Sequence, residues 1–295
     1  MVALDNLDPY YDPAVKVRNL GALEQLPGFR FVEGDIRDQA LVSQLFESER
    51  FDEVVHLAAK AGVRPSVEHP VLYGDVNVTG TMLLLDAAQR ANCRAFVMAS
   101  SSSVYGKRSD APFKETDPPA PAQSPYAATK QACEILGRTF HELHGMDVTA
   151  LRFFTAFGPR QRPDLAVHKF TRLLLAGEEI PFYGDGSSRR DYTYVEDIAE
   201  GVVRALERCP RSGWRVYNLG NSVTVSLSEL VAALEQVWNI KARLRRLPDQ
   251  PGDVPLTCAD LTIARAALGY APATGLYDGL GKFAEWYRRE GQTRS

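Results

Sequence analysis
The chain has 295 residues, 45% hydrophobic and 24% charged, an ordinary globular composition with room for one large domain or two interleaved lobes. A formal net charge of −3 without a long basic run excludes a dedicated nucleic-acid binder, and no apolar span approaches the roughly 18–20 residues that cross a bilayer. Cys93, Cys133, Cys209 and Cys258 form no Cys-x-x-Cys pair, and the N-terminus lacks the basic start and apolar core of a signal peptide, which predicts reduced thiols in a cytoplasmic protein.

Val2-Ala3-Leu4 reads as a short buried strand closed by Asp5-Asn6. An acidic residue there can bond both ribose hydroxyls of a dinucleotide and repel a 2′-phosphate; capping or turning the chain is an equal alternative for Asp5. Phe29 to Glu33 is the next strand, followed by Gly34-Asp35-Ile36-Arg37-Asp38, with Asp38 the N-cap of a helix through Phe46. Glu53 to Lys60 is a third strand that runs into small residues, permitting close approach of a flat ligand. A long helix is predicted over 70–91, then the apolar strand Phe96-Val97-Met98-Ala99. Short strands alternating with helices at this frequency predict an α/β fold with a parallel, doubly wound sheet.

A helix over 124–144 and a strand from Val148 to Phe154 continue the pattern. From Gly158 the character changes. Pro159 to Pro163 is a basic, Pro-bounded loop, and Asp164 is placed to cap a helix through Ala176. Gly184 to Asp191 is a second loop rich in arginine and turn residues. Helices over 195–207 and 226–238, the latter with clear amphipathic spacing, flank a strand from Val216. Arg243-Leu244-Arg245-Arg246 reads as an exposed strand face, 248–253 as a loop, and two short helices close the chain. The expected division is a dinucleotide-binding domain over 1–157 and a smaller α+β substrate lobe over 158–295, interleaved with it. The five histidines show no ligand spacing, so no metal site is expected.

The chemistry concentrates between Ala99 and Lys130. Four serines, 100–103, sit where the apolar strand ends, and open sheets bind ligands beyond the carboxyl ends of their strands. Tyr126 and Lys130, spaced i, i+4, share one face of the helix that follows. A phenol, which ordinarily titrates near about pH 10, is a poor base at neutral pH until its anion is stabilised, and an ammonium one turn away can stabilise it. Such a tyrosinate, held by a serine hydroxyl, takes a proton from a substrate alcohol as hydride leaves the carbon. A nicotinamide must then accept the hydride, because no side chain does. Tyr-x-x-x-Lys alone also occurs by chance on helix surfaces; the serine-rich strand end, Asp5, Asp35 and the doubly wound pattern together favour chemistry.

Ser-Ser-Ser-Val-Tyr-Gly, Tyr-Ala-Ala-Thr-Lys, Gly-Asp-Ile-Arg-Asp and Arg-Asp-Tyr-Thr-Tyr-Val-Glu-Asp occur in the order found in extended short-chain dehydrogenase/reductases of the nucleotide-sugar epimerase branch. The chain resembles that family over essentially its whole length. The resemblance implies catalytic roles for Ser101, Tyr126 and Lys130, with Ser102 the lesser choice of serine. It implies NAD contacts from Asp5 and Asn6 to ribose and from Asp35 and Ile36 at adenine, with Leu57, Ala58, Ala59, Lys60, Asn77, Ser100 and Phe154 lining the cofactor. It also implies a nucleotide-sugar substrate, and a homodimer through the helices near 70–91 and 124–144.

Relatives that dehydrate the sugar carry Asp-Glu just before Val-Tyr-Gly, and those that decarboxylate UDP-glucuronate carry Glu. Here those positions are Ser102 and Ser103, which relay no protons near neutral pH, so epimerisation at C4 is expected. Three stretches resemble the UDP-glucuronate 4-epimerases: Asp5 to Pro13, Arg152-Phe-Phe-Thr155 followed by Arg162-Pro-Asp-Leu-Ala166, and Gln250 to Val254. Thr155, Arg160 and Arg162 become substrate candidates, arginine forks suiting carboxylate and phosphate alike, with the choice between the two arginines open. Arg190 is the diphosphate candidate. Asp253 is placed at the nucleotide ribose or as a turn cap. UDP-glucose or UDP-N-acetylglucosamine epimerisation is the alternative within enzymes. A catalytically silent nucleotide-sugar binder is the alternative outside them.

The family opens with a strand and Gly-x-x-Gly-x-x-Gly, which brings backbone to the pyrophosphate at a helix N-terminus. No such motif occurs here, and Met1 falls where the second strand should begin. A first strand and helix of about 25–30 residues are expected to be missing. A start codon placed too late is the favoured explanation, over a shortened chain or a natural relic.

Overall fold
The computed structural model describes residues 1–108, 110–248 and 254–291. Two compact units emerge, one made of 1–100, 124–150 and 208–215, the other of 101–123, 151–207 and 216–295.

In the first unit, β1 (Val2–Asp5) pairs in parallel with β2 (Arg30–Glu33), Val2 opposite Arg30. Between them lies α1 (Pro13–Leu23), which the sequence pattern does not announce: it buries no residue fully, and Asp12 starts it by accepting from Ala14 N with proline at its head. After β2 comes α2 (Gln39–Glu49), with Asp38 its N-cap as expected, accepting from Leu41 N at 3.0 Å. Next is β3 (Glu53–His56), parallel to β4 (Ala95–Ser101). The sheet order is β3-β4-β5-β9, with β5 spanning Val148–Phe153 and β9 spanning Trp214–Leu219. Ala95 to Met98 are at most 1% exposed, so both faces of β4 are covered, the condition of an interior parallel strand. The pair β1-β2 stands as a separate sheet.

The predicted helix over 70–91 is interrupted. A short α-helix (Pro70–Tyr73) passes into a π-helical turn (Gly74–Thr79) and then α-helix again (Gly80–Arg90). Leu84, Leu85, Ala87 and Ala88 face the core, whereas Leu83, which the helical pattern puts on the same apolar face, is only half-buried; removing each large apolar side chain from water contributes about 1.5–3 kcal/mol. The long helix (Pro125–His144) starts at Ser124, whose Oγ accepts from Ala127 N at 3.1 Å, and stops at Gly145 with φ 66°. Gly137 lets this helix close on the sheet: a Cβ there would stand 2.8 Å from Met98 Cε and 2.9 Å from the Trp214 ring. The four cysteines are free thiols.

In the second unit, β6 (Thr155–Phe157) runs parallel to β8 (Arg189–Tyr194), and β10 (Thr224–Ser226) runs antiparallel to β8. A parallel pair joins β7 (Glu179–Tyr183) to β11 (Arg243–Leu247), and β11 carries the exposed arginines. Phe157, Phe170, Ile180, Phe182, Leu230 and Phe283 belong to its apolar core. Two sequence expectations are corrected. Asp164 does not cap the helix Ala166–Leu175; Leu165 precedes that helix without a side-chain cap, and Asp164 pairs with Arg162 instead. The arginine-rich loop ends early, because Arg189 to Asp191 are already strand, laddered to Ser226, Val225 and Thr224.

Candidate active site
In the first unit the site is built by the end of β4 and the first turns of the Pro125–His144 helix. Lys130 is 5% exposed, and its Nζ donates to Ala99 O at 2.7 Å, a charge-assisted bond that ties the helix to the strand end. Tyr126, one turn earlier, is half-buried with its ring edge-on to Tyr73 at 6.3 Å. Thr129 Oγ1 donates to Tyr126 O at 2.8 Å and accepts from Asn77 Nδ2 at 3.0 Å. The π-helical turn presents Asn77 so that its Oδ1 accepts from Lys60 N at 2.7 Å while Nδ2 also donates to Lys60 O at 3.0 Å. Such π-bulges recur at functional sites. Asn77 and Ser100, expected beside a cofactor, thus have internal partners: Asn77 clamps the Lys60 backbone, and Ser100 Oγ donates to Glu134 Oε1 at 2.5 Å.

Behind Lys130 lies His56, whose Nε2 is 2.9 Å from Thr81 Oγ1. Burial, with the Lys130 charge added, pushes its pKa down to about 3. Lys60 Nζ donates to Asp8 Oδ1 at 2.7 Å, joining the strand-end residues 57–60 to the segment after β1. There Asp5, exposed, accepts from Leu7 N at 2.7 Å and faces Lys16 at 3.6 Å. Asn6 donates to Asp35 at 2.9 Å. The Arg37 fork beside Asp35 holds that carboxyl well below the usual range, against a smaller contrary push from burial. Ile36 is 7% exposed and Leu57 52%; Ala58 and Ala59 are half-buried.

In the second unit, Ser101 Oγ accepts from Ser103 N at 3.2 Å, and Ser103 Oγ is buried without a partner among the described residues. Phe154, 5% exposed, packs its ring against Tyr105 and Phe113. Thr155 stands opposite Tyr192. Arg162 closes its fork on Asp164, Nε to Oδ1 at 3.0 Å and Nη2 to Oδ2 at 2.7 Å. Arg160 is exposed on a left-handed backbone, φ 63°, an unusual conformation for a side-chain-bearing residue. Arg190 Nη1 donates to Arg189 O at 2.9 Å. Asp253 and Gln250 lie outside the described residues.

Comparison with known proteins adds the ancestry. A family model described as GDP-mannose 4,6 dehydratase matches residues 11–283. The chain belongs to the NAD-dependent nucleotide-sugar epimerase and dehydratase family, of the extended short-chain dehydrogenase/reductase type. Within that family it is 42% identical to UDP-glucuronate 4-epimerase 5 of Arabidopsis thaliana, over 97% of this chain and 69% of that protein. Its fold superposes on UDP-glucuronic acid 4-epimerase from Bacillus cereus, solved with UDP-glucuronic acid and NAD, at a TM-score of 0.92 and 33% identity, covering 98% of this chain and 90% of that one. The dTDP-glucose 4,6-dehydratase DesIV of Streptomyces venezuelae, solved with NAD and TYD, gives 0.90 and 30%, over 98% and 87%.

Two side chains bonded into this cluster lie outside the sequence expectations. Thr129, which meets Asn77, stands between Tyr126 and Lys130 inside the quoted motif, and Glu134, which meets Ser100, repeats the i+4 step once more; extending the helical stripe past Lys130 finds it.

Proposed function
We propose that the chain is an NAD-dependent UDP-sugar 4-epimerase whose substrate is UDP-glucuronate, interconverted with UDP-galacturonate. The observation that carries the reading is the 42% identity to a UDP-glucuronate 4-epimerase across 97% of the chain, with Tyr126 and Lys130 on the helix turns that grip the β4 end. Dehydration is disfavoured, although dehydratases are among the relatives, because Ser102 and Ser103 hold the places where those enzymes carry acids.

The donor set fits the two ends of NAD: an exposed Asp5 carboxylate and the apolar flank of Leu57 toward the adenosine side, Tyr126 and Lys130 toward the nicotinamide. The glycine-rich pyrophosphate cradle is not in this sequence. Bound NAD would accept hydride from the sugar's C4 and return it. Tyr126 takes the proton of the 4-hydroxyl and gives it back. Lys130 keeps a positive charge one helical turn from that phenol, its Nζ oriented by Ala99 O. Ser101 holds the 4-oxygen by hydrogen bonding. The resulting 4-keto sugar is re-presented by its other face, which inverts C4. Thr155, Arg160, Arg162 and Arg190 are the proposed holders of uronate and diphosphate. Arg160 is favoured over Arg162 as the recognising cation because the Arg162 fork already closes on Asp164.

The protein acts as a homodimer in the cytoplasm. Val71, Met82, Ile135 and Leu143 on the 70–91 and 124–144 segments are 83%, 43%, 66% and 71% exposed, an apolar surface that a second copy would cover. Among the described residues no helix is long and apolar enough to cross a membrane. Incubation of the purified chain with UDP-glucuronate and NAD, followed by chromatography of the sugar nucleotides, is expected to yield UDP-galacturonate. No product from this chain, or from one extended upstream with a glycine-rich loop, would overturn the assignment.

A further inference from the structure
We propose that Glu134 is a positioning residue for the Tyr126–Lys130 pair, acting through Ser100; the proposal rests on the epimerase reading above. Tyr126, Lys130 and Glu134 follow at i, i+4 and i+8, so they lie along one stripe of the helix. Two consecutive residues of β4 are held by two consecutive turns of that stripe. Ala99 O accepts from Lys130 Nζ at 2.7 Å, and Ser100 Oγ donates to Glu134 Oε1 at 2.5 Å.

Ser100 is 2% exposed and Glu134 7%, and a buried carboxyl group is a costly way to join a helix to a strand. An apolar contact would join them as firmly but has no preferred direction, whereas an O–H···O bond does. One anchor, at Lys130, fixes a distance. The second, a turn later, fixes the rotation of the helix about its own axis, and with it the direction in which Tyr126 leaves the helix. Ser100 also immediately precedes Ser101, so the same bond sets the backbone from which that serine departs. The opposite flank is already locked by Thr129 to Asn77 and by Cys133 Sγ to Asn77 O at 3.2 Å. His56 and Cys133 also feel the Lys130 charge.

The test compares Glu134→Ala, Glu134→Gln and Ser100→Ala with the unsubstituted protein. Turnover of UDP-glucuronate is measured, together with the NMR chemical shift of the Tyr126 13Cζ at one fixed pH, identified by its loss in Tyr126→Phe. Glutamine keeps a carbonyl acceptor for Ser100 Oγ; alanine does not. Glu134→Ala and Ser100→Ala are each expected to lower kcat by about 10- to 100-fold, as misplacement of about 1 Å does. KM for UDP-glucuronate should stay within about twofold. The double variant should be no slower than the worse single one, since both break the same bond. Glu134→Gln should recover to within about threefold, a rescue that loss of the charge alone would not give. The Tyr126 13Cζ resonance should move in the alanine variants and keep its place in Glu134→Gln, because without the second anchor the ring leaves the helix in a different direction. Equal losses in Glu134→Ala and Glu134→Gln would overturn the proposal, as would an unchanged kcat and 13Cζ resonance in Ser100→Ala, which removes only a hydroxyl and folds if any variant does. Lack of turnover in the unsubstituted protein would count against the epimerase reading alone, and the Tyr126 resonance would still decide the role of Glu134.

Discussion

His56 converts a buried hydrogen bond into a measurable pH dependence. Thr81 Oγ1 gives its hydrogen to Asn77 O at 2.5 Å, so in the 2.9 Å contact with His56 Nε2 the ring must be the donor. That assigns the neutral, Nε2-protonated tautomer. Burial, and then the Lys130 charge, lower its pKa from 6.5 to about 3. An unfolded histidine binds its proton near pH 6.5. Between 6.5 and 3 the unfolded chain therefore carries the extra proton, and stability, complete above 6.5, is lost as pH falls. Linkage gives about 2 kcal/mol lost between pH 7.5 and 5.0, and about 5 kcal/mol across the whole window. Glutamine at this position keeps an N–H for Thr81 and cannot titrate. Urea unfolding at pH 7.5 and 5.0 should show the unsubstituted protein losing about 2 kcal/mol more than His56→Gln. His168, whose pKa is also lowered by burial, contributes equally to both proteins and cancels. Equal losses in the two would refute the reasoning, showing that His56 accepts its proton within the folded state.

Ser124→Ala removes the cap at the head of the helix that bears Tyr126 and should cost about 1 kcal/mol in urea unfolding. Gly137→Ala places a methyl 2.8 Å from Met98 Cε and 2.9 Å from the Trp214 ring; the helix or the ring must yield, at about 1–3 kcal/mol, read as a lower Tm. In kinetics with UDP-glucuronate, Arg160→Ala should raise KM about tenfold or more, the loss of one charge-assisted contact, while Arg162→Ala changes KM less because its fork is held by Asp164.

What the sequence made legible follows from how local each cause is. The Asp38 cap, the helix start at Ser124, the apolar run of β4 and the i, i+4 step from Tyr126 to Lys130 are set within a few neighbours, and the pattern shows them. The strands β6, β8 and β10 are short and pair across 30 or more residues, so nothing nearby in the chain marks Arg189 as strand rather than loop. The π-helical turn leaves no trace in a 3.6-residue pattern, yet it orients Asn77 onto the Lys60 backbone. The acidic residues are less legible for another reason. Asp164 stands where a helix cap is expected and is bound instead by Arg162, two residues away, as Asp35 is by Arg37. A carboxylate's partner depends on side-chain conformation, which spacing along the chain does not encode.

The separate β1-β2 sheet bears on cofactor affinity in a way that can be measured. Among the described residues β1 pairs only with β2, and β3 is the outer strand of its own sheet, so each presents one edge of unpaired backbone groups. Val55 and Leu57, 39% and 52% exposed, lie at and just past the end of β3. A strand, glycine-rich turn and helix joined upstream of Val2 would give these edges a parallel partner and offer a helix N-terminus to the pyrophosphate. Two charge-assisted backbone N–H bonds, each contributing about 1.5 kcal/mol or more, amount to at least about 100-fold in Kd. Calorimetric titration of NAD into this chain and into the extended one should show that gain, with the difference shrinking for adenosine, which lacks the pyrophosphate. An extended chain that binds NAD no more tightly would mean that Asp5, Leu57, Tyr126 and Lys130 already hold the cofactor without a cradle.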